Sequence, residues 1–202
     1  MPASAPTPDS DRHDTPRHVG VSRQQSWGST AKLLHWLIAL LILLQFPLGW
    51  IAAAWHLSPT KLDLFVWHKS LGMLILLLAL VRLAWRLTHP APPHADGMTP
   101  WETAAARFTH ALLYVLMIAL PLAGWLVDSA AGIPFKIFWV MPRPALVGAD
   151  KSLQDLASVL HLGLGVALTL LIALHIAAAL RHHLIKQDDV LTRMLPTWRL
   201  RP

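Results

Sequence analysis

The side chains best suited to chemistry in this 202-residue chain are five histidines within long apolar segments: His35, His68, His110, His161 and His175. An ionisable side chain inside a membrane span is costly, and so it is a candidate for function. Any one of them alone can be explained without a function, as a histidine near a helix end that bonds to a backbone carbonyl or a lipid headgroup. Their number and their depths in the membrane, which are derived below, favour a shared chemical function.

The apolar segments that carry the histidines are long enough to cross a bilayer. Runs free of Asp, Glu, Lys and Arg extend from Leu33 to Thr60, from Phe108 to Val127 and from Leu156 to Leu180, and a span needs about 20 residues. A fourth run, from Ser70 to Val81, is shorter, but apolar residues on both sides extend it. We therefore predict an all-α fold, an integral membrane four-helix up-down bundle with helices at about 31–55, 64–87, 101–127 and 151–181.

Composition agrees with a membrane protein and limits the kind of metal site. The chain is 54% hydrophobic and 14% charged, whereas soluble domains carry roughly 25% charged residues. It contains no cysteine, which excludes Cys-ligated iron–sulfur clusters, thiolate-ligated haem and covalent haem attachment. The net charge of +6 comes from basic residues beside the spans, so membrane lipids rather than nucleic acid are the expected partners.

The distribution of basic residues predicts the orientation of the bundle. With four spans, twelve of the 17 lysines and arginines fall on the side that holds both termini, and five fall on the other. The positive-inside rule then places both termini in the cytoplasm. Residues 1–26 are polar and lack the apolar core of a signal peptide, so we predict a disordered cytoplasmic tail there.

Alternating helix directions sort the histidines into two levels. His68 and His161 fall toward the periplasmic side, and His35, His110 and His175 fall toward the cytoplasmic side. The two histidines of the fourth helix are separated by about 21 Å along the axis and by about 40° around it. One helix can therefore serve two stacked sites.

Haem is the cofactor that suits histidines at two matched depths. Its iron accepts two axial imidazoles from opposite sides of a flat macrocycle, so the ligands must come from two helices at one depth. Gly72, Gly163 and Gly165, near His68 and His161, leave room for a macrocycle, although ordinary helix packing explains them at least as well.

Several motifs carry a resemblance to a known family over about residues 27–198. They are L-L-H-W-L (33–37), V-W-H-K-S-L-G (66–72), V-R-L-A-W-R-L (81–87), F-T-H-A-L-L-Y-V-L-M-I-A-L-P-L-A-G-W (108–125) and A-L-H-I-A-A-A-L-R-H-H (173–183). In these motifs the chain resembles the bacterial di-haem membrane cytochromes called cytochrome b561. The resemblance implies a four-helix cytochrome domain at 27–198 in the bacterial inner membrane, with two non-covalent haem b groups.

The resemblance also implies a pairing of the ligands. His68 with His161 would bind the iron of the periplasmic haem, and His35 with His175 that of the cytoplasmic haem. His110 stays unassigned, because spacing alone would let it replace His35 or His175 at the cytoplasmic level.

Four further residues have candidate roles at the cytoplasmic end. Arg82 and Arg86 can pair with haem propionates, although arginine at a span end is often only a topology determinant. His182 and His183 can bind or protonate a quinone, although surface histidines beside headgroups are common.

These features predict transmembrane electron transfer between a periplasmic donor, either a small anion or a protein, and the quinone pool. Some relatives oxidise superoxide and reduce ubiquinone, so the resemblance implies that oxidoreductase reaction as a possibility. Two alternatives stay open: a cytochrome b subunit of a larger dehydrogenase or hydrogenase, and a proton or metal transporter with histidine relays. A transporter would purify without pigment.

Overall fold

The fold is a bundle of four long helices with one small hairpin. The computed structural model describes residues 26–89, 92 and 98–195. The helices are α1 (Ser29–Ala54), α2 (Pro59–Thr88), α3 (Pro100–Ala130) and α4 (Lys151–Arg181), and β1 (Phe135–Ile137) pairs antiparallel with β2 (Met141–Arg143) between α3 and α4.

All four helices are long and apolar enough to cross a membrane. The predicted four-helix membrane architecture is thus confirmed, and the hairpin is an addition to it. The predicted tail at 1–26 lies outside the described residues except for Ser26. The cytoplasmic location of the termini stays a prediction.

The helix ends follow from local capping. The α2 helix begins five residues before the predicted position, because Pro59 occupies its first turn and the Ser58 hydroxyl accepts a hydrogen bond from the Lys61 N–H at 3.3 Å. At the start of α4 the Asp150 carboxylate accepts from the Leu153 N–H at 3.0 Å. That hydrogen bond, with a second from the Ser152 hydroxyl, holds the pKa of Asp150 below its usual value.

The bundle is built from two antiparallel pairs. The α1 helix packs on α2 and α3 packs on α4, while α2 contacts α3 and joins the pairs. Among the described residues α1 and α4 have little direct contact. The common core lies near the middle of the bundle and consists of Ile38, Ile42, Ile75, Ala79, Leu116, Met117 and Leu168.

The hairpin packs against the ends of α2 and α3. The Phe138 N–H donates to the hydroxyl of Ser70, which is fully buried, at 2.8 Å, and the Trp125 indole donates to the Pro144 carbonyl at 2.9 Å. Phe138 and Trp139 both have positive φ, at 47° and 63°, as a tight hairpin turn requires. The hairpin between α3 and α4 is therefore a cap fixed to two helices.

The chain after α4 crosses the opposite end of the bundle. A π-helical turn (His182–Lys186) is followed by a short 3-10 turn (Thr192–Met194). The Met194 carbonyl accepts from the Trp36 indole and the Leu195 carbonyl from the Lys32 ammonium, both at 2.9 Å. This C-terminal segment, residues 182–195, thus connects the end of α4 to the start of α1.

Candidate functional site

His68 and His161 face each other at the end of the bundle covered by the hairpin. His68 lies on α2 and His161 on α4, and their ring centres are 6.3 Å apart with planes at 79°. The two residues come from different helix pairs, so the space between their rings lies between the pairs. Asp128, at the end of α3, forms an ion pair with Lys69, the residue that follows His68 on α2.

His35 and His175 form the second pair at the other end. Their ring centres are also 6.3 Å apart, with planes at 71°, and they lie on α1 and α4. Trp36 contacts His35 edge-on at 5.2 Å. The five predicted histidines therefore fall into the two levels expected from the sequence, with α4 contributing to both.

His110 lies beside the second pair. Its ring centre is 5.5 Å from that of His175, and it comes from α3, the helix on which α4 packs. His110 and His175 are thus neighbours on one helix pair, whereas His35 faces His175 from the other pair. His175 therefore has two neighbouring imidazoles, that of His110 from its own helix pair and that of His35 from the other pair.

Two glycines lie directly against the imidazoles of the first pair. A Cβ on Gly49 of α1 would lie 2.7 Å from Cε1 of His68, and a Cβ on Gly124 of α3 would lie 3.0 Å from Cε1 of His161. Both distances are shorter than a normal van der Waals contact, so these positions need glycine while the rings stay where they are.

The glycines singled out by proximity in sequence lie elsewhere. A Cβ on Gly163 would meet nothing within 4 Å, one on Gly165 only a Leu120 methyl at 4.0 Å, and one on Gly72 the Gln45 amide at 3.3 Å. The glycines that contact the histidines come from neighbouring helices, and the sequence offered no direct signal for them.

The donor set of the first pair fits a haem iron. Nδ1 of His161 lies 3.0 Å from the Leu120 carbonyl oxygen, which can only accept, so Nδ1 carries the proton and the lone pair of the neutral ring is on Nε2. This is the tautomer that binds a metal while the other nitrogen is held by the protein. Imidazole nitrogens bind metals at about 2 Å, so two axial imidazoles on one metal have ring centres about 6 Å apart, as both pairs have.

Arg82 and Arg86 lie near the second pair with other partners. The Arg82 guanidinium donates to the Tyr114 hydroxyl at 3.0 Å and to the Ala31 carbonyl at 3.1 Å. Arg86 stacks over the Trp27 ring at 4.7 Å. Arg82 uses two of its five N–H donors in these bonds, so a contact with a haem propionate stays a prediction.

His182 and His183 differ in environment. His182 is buried, and its Nδ1 lies 2.5 Å from the Asp188 carboxylate, whereas His183 is exposed. The turn that carries them is held to α3 by Glu102, which binds Arg181 at 3.1 Å and Lys186 at 2.6 Å. The two histidines are therefore not equivalent: His182 is buried and hydrogen-bonded, and His183 lies on the surface.

A charge cluster beside the first pair was not predicted. The Asp128 carboxylate binds both the Lys69 ammonium and the Arg143 guanidinium at 2.7 Å, and Asp128 and Arg143 expose only 8% and 6% of their side chains. The sequence identified these residues only as isolated charges on one side of the membrane. Because α2, α3 and β2 bring them together, only the tertiary fold shows the cluster.

Comparison with known proteins gives a consistent result. The family described as "Prokaryotic cytochrome b561" matches residues 26–197. The chain is 32% identical over 177 residues, 85% of this chain and 92% of the relative, to "Cytochrome b561 homolog 2" of Escherichia coli (strain K12). It is 31% identical over 166 residues, 81% of this chain and 92% of the relative, to "Probable superoxide oxidase CybB" of Yersinia pestis. "Cytochrome b561 homolog 1" of Escherichia coli (strain K12) is 27% identical over 174 residues, 84% of this chain and 97% of the relative.

Proposed function

The chain belongs to the prokaryotic cytochrome b561 family, and on that premise we propose that it carries electrons across the membrane through two b-type haems, between an external one-electron donor and membrane quinone. It is a bacterial multi-pass membrane protein of a family of electron-transfer cytochromes. The count of two haems, the ligands and both redox partners are our proposals.

The single observation that carries the proposal is the pair of matched histidine contacts. His68 with His161, and His35 with His175, have equal ring separations of 6.3 Å at opposite ends of the bundle. Each pair takes one histidine from α4 and one from the α1–α2 pair, as two ligands on opposite faces of one macrocycle require. When bound between such imidazoles, haem iron supplies one-electron exchange between ferric and ferrous states.

His110 is assigned no axial role in this proposal. His35 approaches His175 from the opposite helix pair, and His110 approaches it from the same pair at 5.5 Å. His35 and His175 would hold the haem from the two helix pairs, and His110 would lie beside His175. Arg82 and Arg86, on the same level, are proposed to face the propionates of this haem.

Quinone exchange is proposed at the end covered by the C-terminal segment. Reduction of a quinone takes up protons, and His182 is a buried histidine at that end, with Asp188 at 2.5 Å as its hydrogen-bond partner. Because the imidazole and the carboxylate are hydrogen-bonded to each other, we propose this pair as the route by which protons reach the quinone. His183, being exposed, is proposed to contact headgroups or the entering quinone.

The donor is proposed to react at the end covered by the hairpin. The relative described as a probable superoxide oxidase suggests superoxide as that donor, which would make this chain a superoxide:ubiquinone oxidoreductase. Lys69 and Arg143 together with Asp128 leave one net positive charge beside His68 and His161. A net positive charge favours the approach of a small anion.

Haem content in detergent-purified protein tests this function. We expect two haem b per chain by the pyridine haemochrome assay, and one after alanine substitution of His35, His68, His161 or His175. His110→Ala is the matched control, because it removes an imidazole at the same level and should retain both haems. Absence of haem b would refute the proposal, one haem per chain would reject the two-level arrangement, and haem loss in His110→Ala would overturn the pairing.

The quinone half is tested separately by the reoxidation rate of the reduced protein. We expect added ubiquinone to accelerate it, and His182→Gln to slow it more than His183→Gln does. No acceleration by ubiquinone in the unaltered protein would refute quinone as acceptor. A colourless protein would instead favour the transporter alternative, and co-purification with a dehydrogenase the subunit alternative.

A further inference from the structure

The two histidines beneath the hairpin are approached by the same local pattern from two different helices. His161 lies against α3, where the Leu120 carbonyl accepts from Nδ1 at 3.0 Å and Gly124 follows four residues later. His68 lies against α1, where the Gln45 amide donates to the His68 main-chain carbonyl and Gly49, four residues after Gln45, lies against the ring.

Four residues are about one helical turn, so each carbonyl and its glycine lie on one face of a helix. The glycine removes the side chain that would otherwise keep the ring away from that carbonyl. On α3 a Cβ at Gly124 would lie 3.1 Å from Nδ1 of His161, and on α1 a Cβ at Gly49 would lie 3.0 Å from Nδ1 of His68. The same ring atom therefore faces the same kind of helix surface twice.

The arrangement on α1 has one side-chain contact that the arrangement on α3 lacks. Gln45 donates from Nε2 to the main-chain carbonyl of His68 at 2.6 Å, whereas Leu120 has no polar side chain. Within the described part of the chain, Nδ1 of His68 is buried without a hydrogen-bond partner. A buried polar nitrogen without a partner is costly, and the Gln45 carbonyl, one helical turn before Gly49, is the counterpart of the Leu120 carbonyl before Gly124.

We propose that Gln45 with Gly49, and Leu120 with Gly124, are two copies of one histidine-positioning element, which fixes the tautomer and ring direction of His68 and His161. On α3 the Leu120 carbonyl takes the proton of Nδ1, and on α1 the Gln45 carbonyl is its counterpart; in each copy the glycine admits the ring, so that the lone pair of Nε2 is directed between the helix pairs. The Gln45 amide adds an anchor to the backbone of His68. This inference rests on the proposed function, because it assigns these residues a role toward the haem of that pair.

The midpoint potentials and low-spin ferric EPR signals of the two haems provide the test. Gly49→Ala and Gly124→Ala each push a different imidazole, yet both should alter the signal and potential of one and the same haem. The other haem, between His35 and His175, is the internal control and should keep its values. Gly148→Ala, where a Cβ would meet nothing within 4 Å, should leave both haems unchanged.

A matched pair of substitutions separates the carbonyl from the side chain. Gln45→Met removes the amide anchor and should weaken haem retention at that level by about 10-fold or more, as loss of a ligand's outer partner does. Leu120→Met keeps the carbonyl and an apolar side chain of similar volume, and it should have no effect on haem retention.

The outcomes distinguish this inference from the proposed function. Unchanged potentials and EPR signals in both glycine variants would overturn the positioning element, as would equal effects of Gln45→Met and Leu120→Met. Changes in both haems together would also overturn it, because they would indicate a general loss of packing. Absence of haem from the unaltered protein would refute the proposed function itself.

Discussion

Substitution of Asp128 by Asn should release the cap formed by the hairpin. Asp128 binds Lys69 and Arg143 at 2.7 Å each and exposes only 8% of its side chain. At this distance and an effective dielectric constant of about 20, each attraction is about 6 kcal/mol, and desolvation opposes part of it. Since removal of one partner leaves buried charge uncompensated, we expect Asp128→Asn to lower the free energy of unfolding by about 3–5 kcal/mol.

Unfolding in mixed micelles with increasing SDS, followed by circular dichroism, measures this loss. Asp155→Asn is the control, because the Lys151–Asp155 pair on α4 is exposed on both side chains, at 75% and 64%, and should contribute about 0.5 kcal/mol or less. Adding Arg143→Met to Asp128→Asn should recover part of the loss by removing the unpaired buried cation. Equal stability of Asp128→Asn and Asp155→Asn would refute the view that the cluster holds the cap.

Three further predictions concern the supports of the helices and the hairpin. Ser70→Ala leaves the Phe138 N–H at the hairpin turn unpaired and should lower the free energy of unfolding by about 1–3 kcal/mol in the same assay. Ser158→Ala is the control, because the Ser158 hydroxyl bonds only to a carbonyl of its own helix, and it should change the free energy of unfolding by close to zero. Gly132→Ala should cost about 1–2 kcal/mol because its φ is +67°, whereas Gly148→Ala, measured alongside it, should cost little. The lowered pKa of Asp150 means that its carboxylate stabilises the fold above the unfolded-state pKa and loses this effect as the pH falls, so the stability difference between the unaltered protein and Asp150→Ala should shrink below about pH 4.

The features of this protein that could be predicted from the sequence are those that depend on the free-energy cost of placing polar and charged groups in a bilayer. Long uncharged runs predict helices, and the structure has four. Histidines within such runs are conspicuous because few other titratable groups share them. Alternation of direction then gives their levels, and the structure brings His68 to His161 and His35 to His175 at those levels.

The parts that were not predictable depend on contacts between elements distant in sequence. Gly49 and Gly124 are needed because histidines of other helices lie against them, and no spacing along the chain encodes that. The segments Q-F-P-L-G-W (45–50) and L-P-L-A-G-W (120–125) show a short internal similarity once both are seen beside a histidine. With different proline-to-glycine spacings and no continuation, it did not stand out as a repeat.

The two ends of the bundle carry different titratable groups, and this difference agrees with the proposed placement of the electron donor at one end and the quinone at the other. Beneath the hairpin, the buried carboxylate of Asp128 is bound by two cations, so the charge beside His68 is fixed, which suits a donor that gives only an electron. Beneath the C-terminal segment, His182 and Asp188 share a hydrogen bond and can exchange a proton, which suits a quinone that takes up protons as it is reduced. If the flow were reversed, the protons of quinol oxidation would be released at the same histidine, so we expect the quinone at the end that carries His182 whichever way the electrons move.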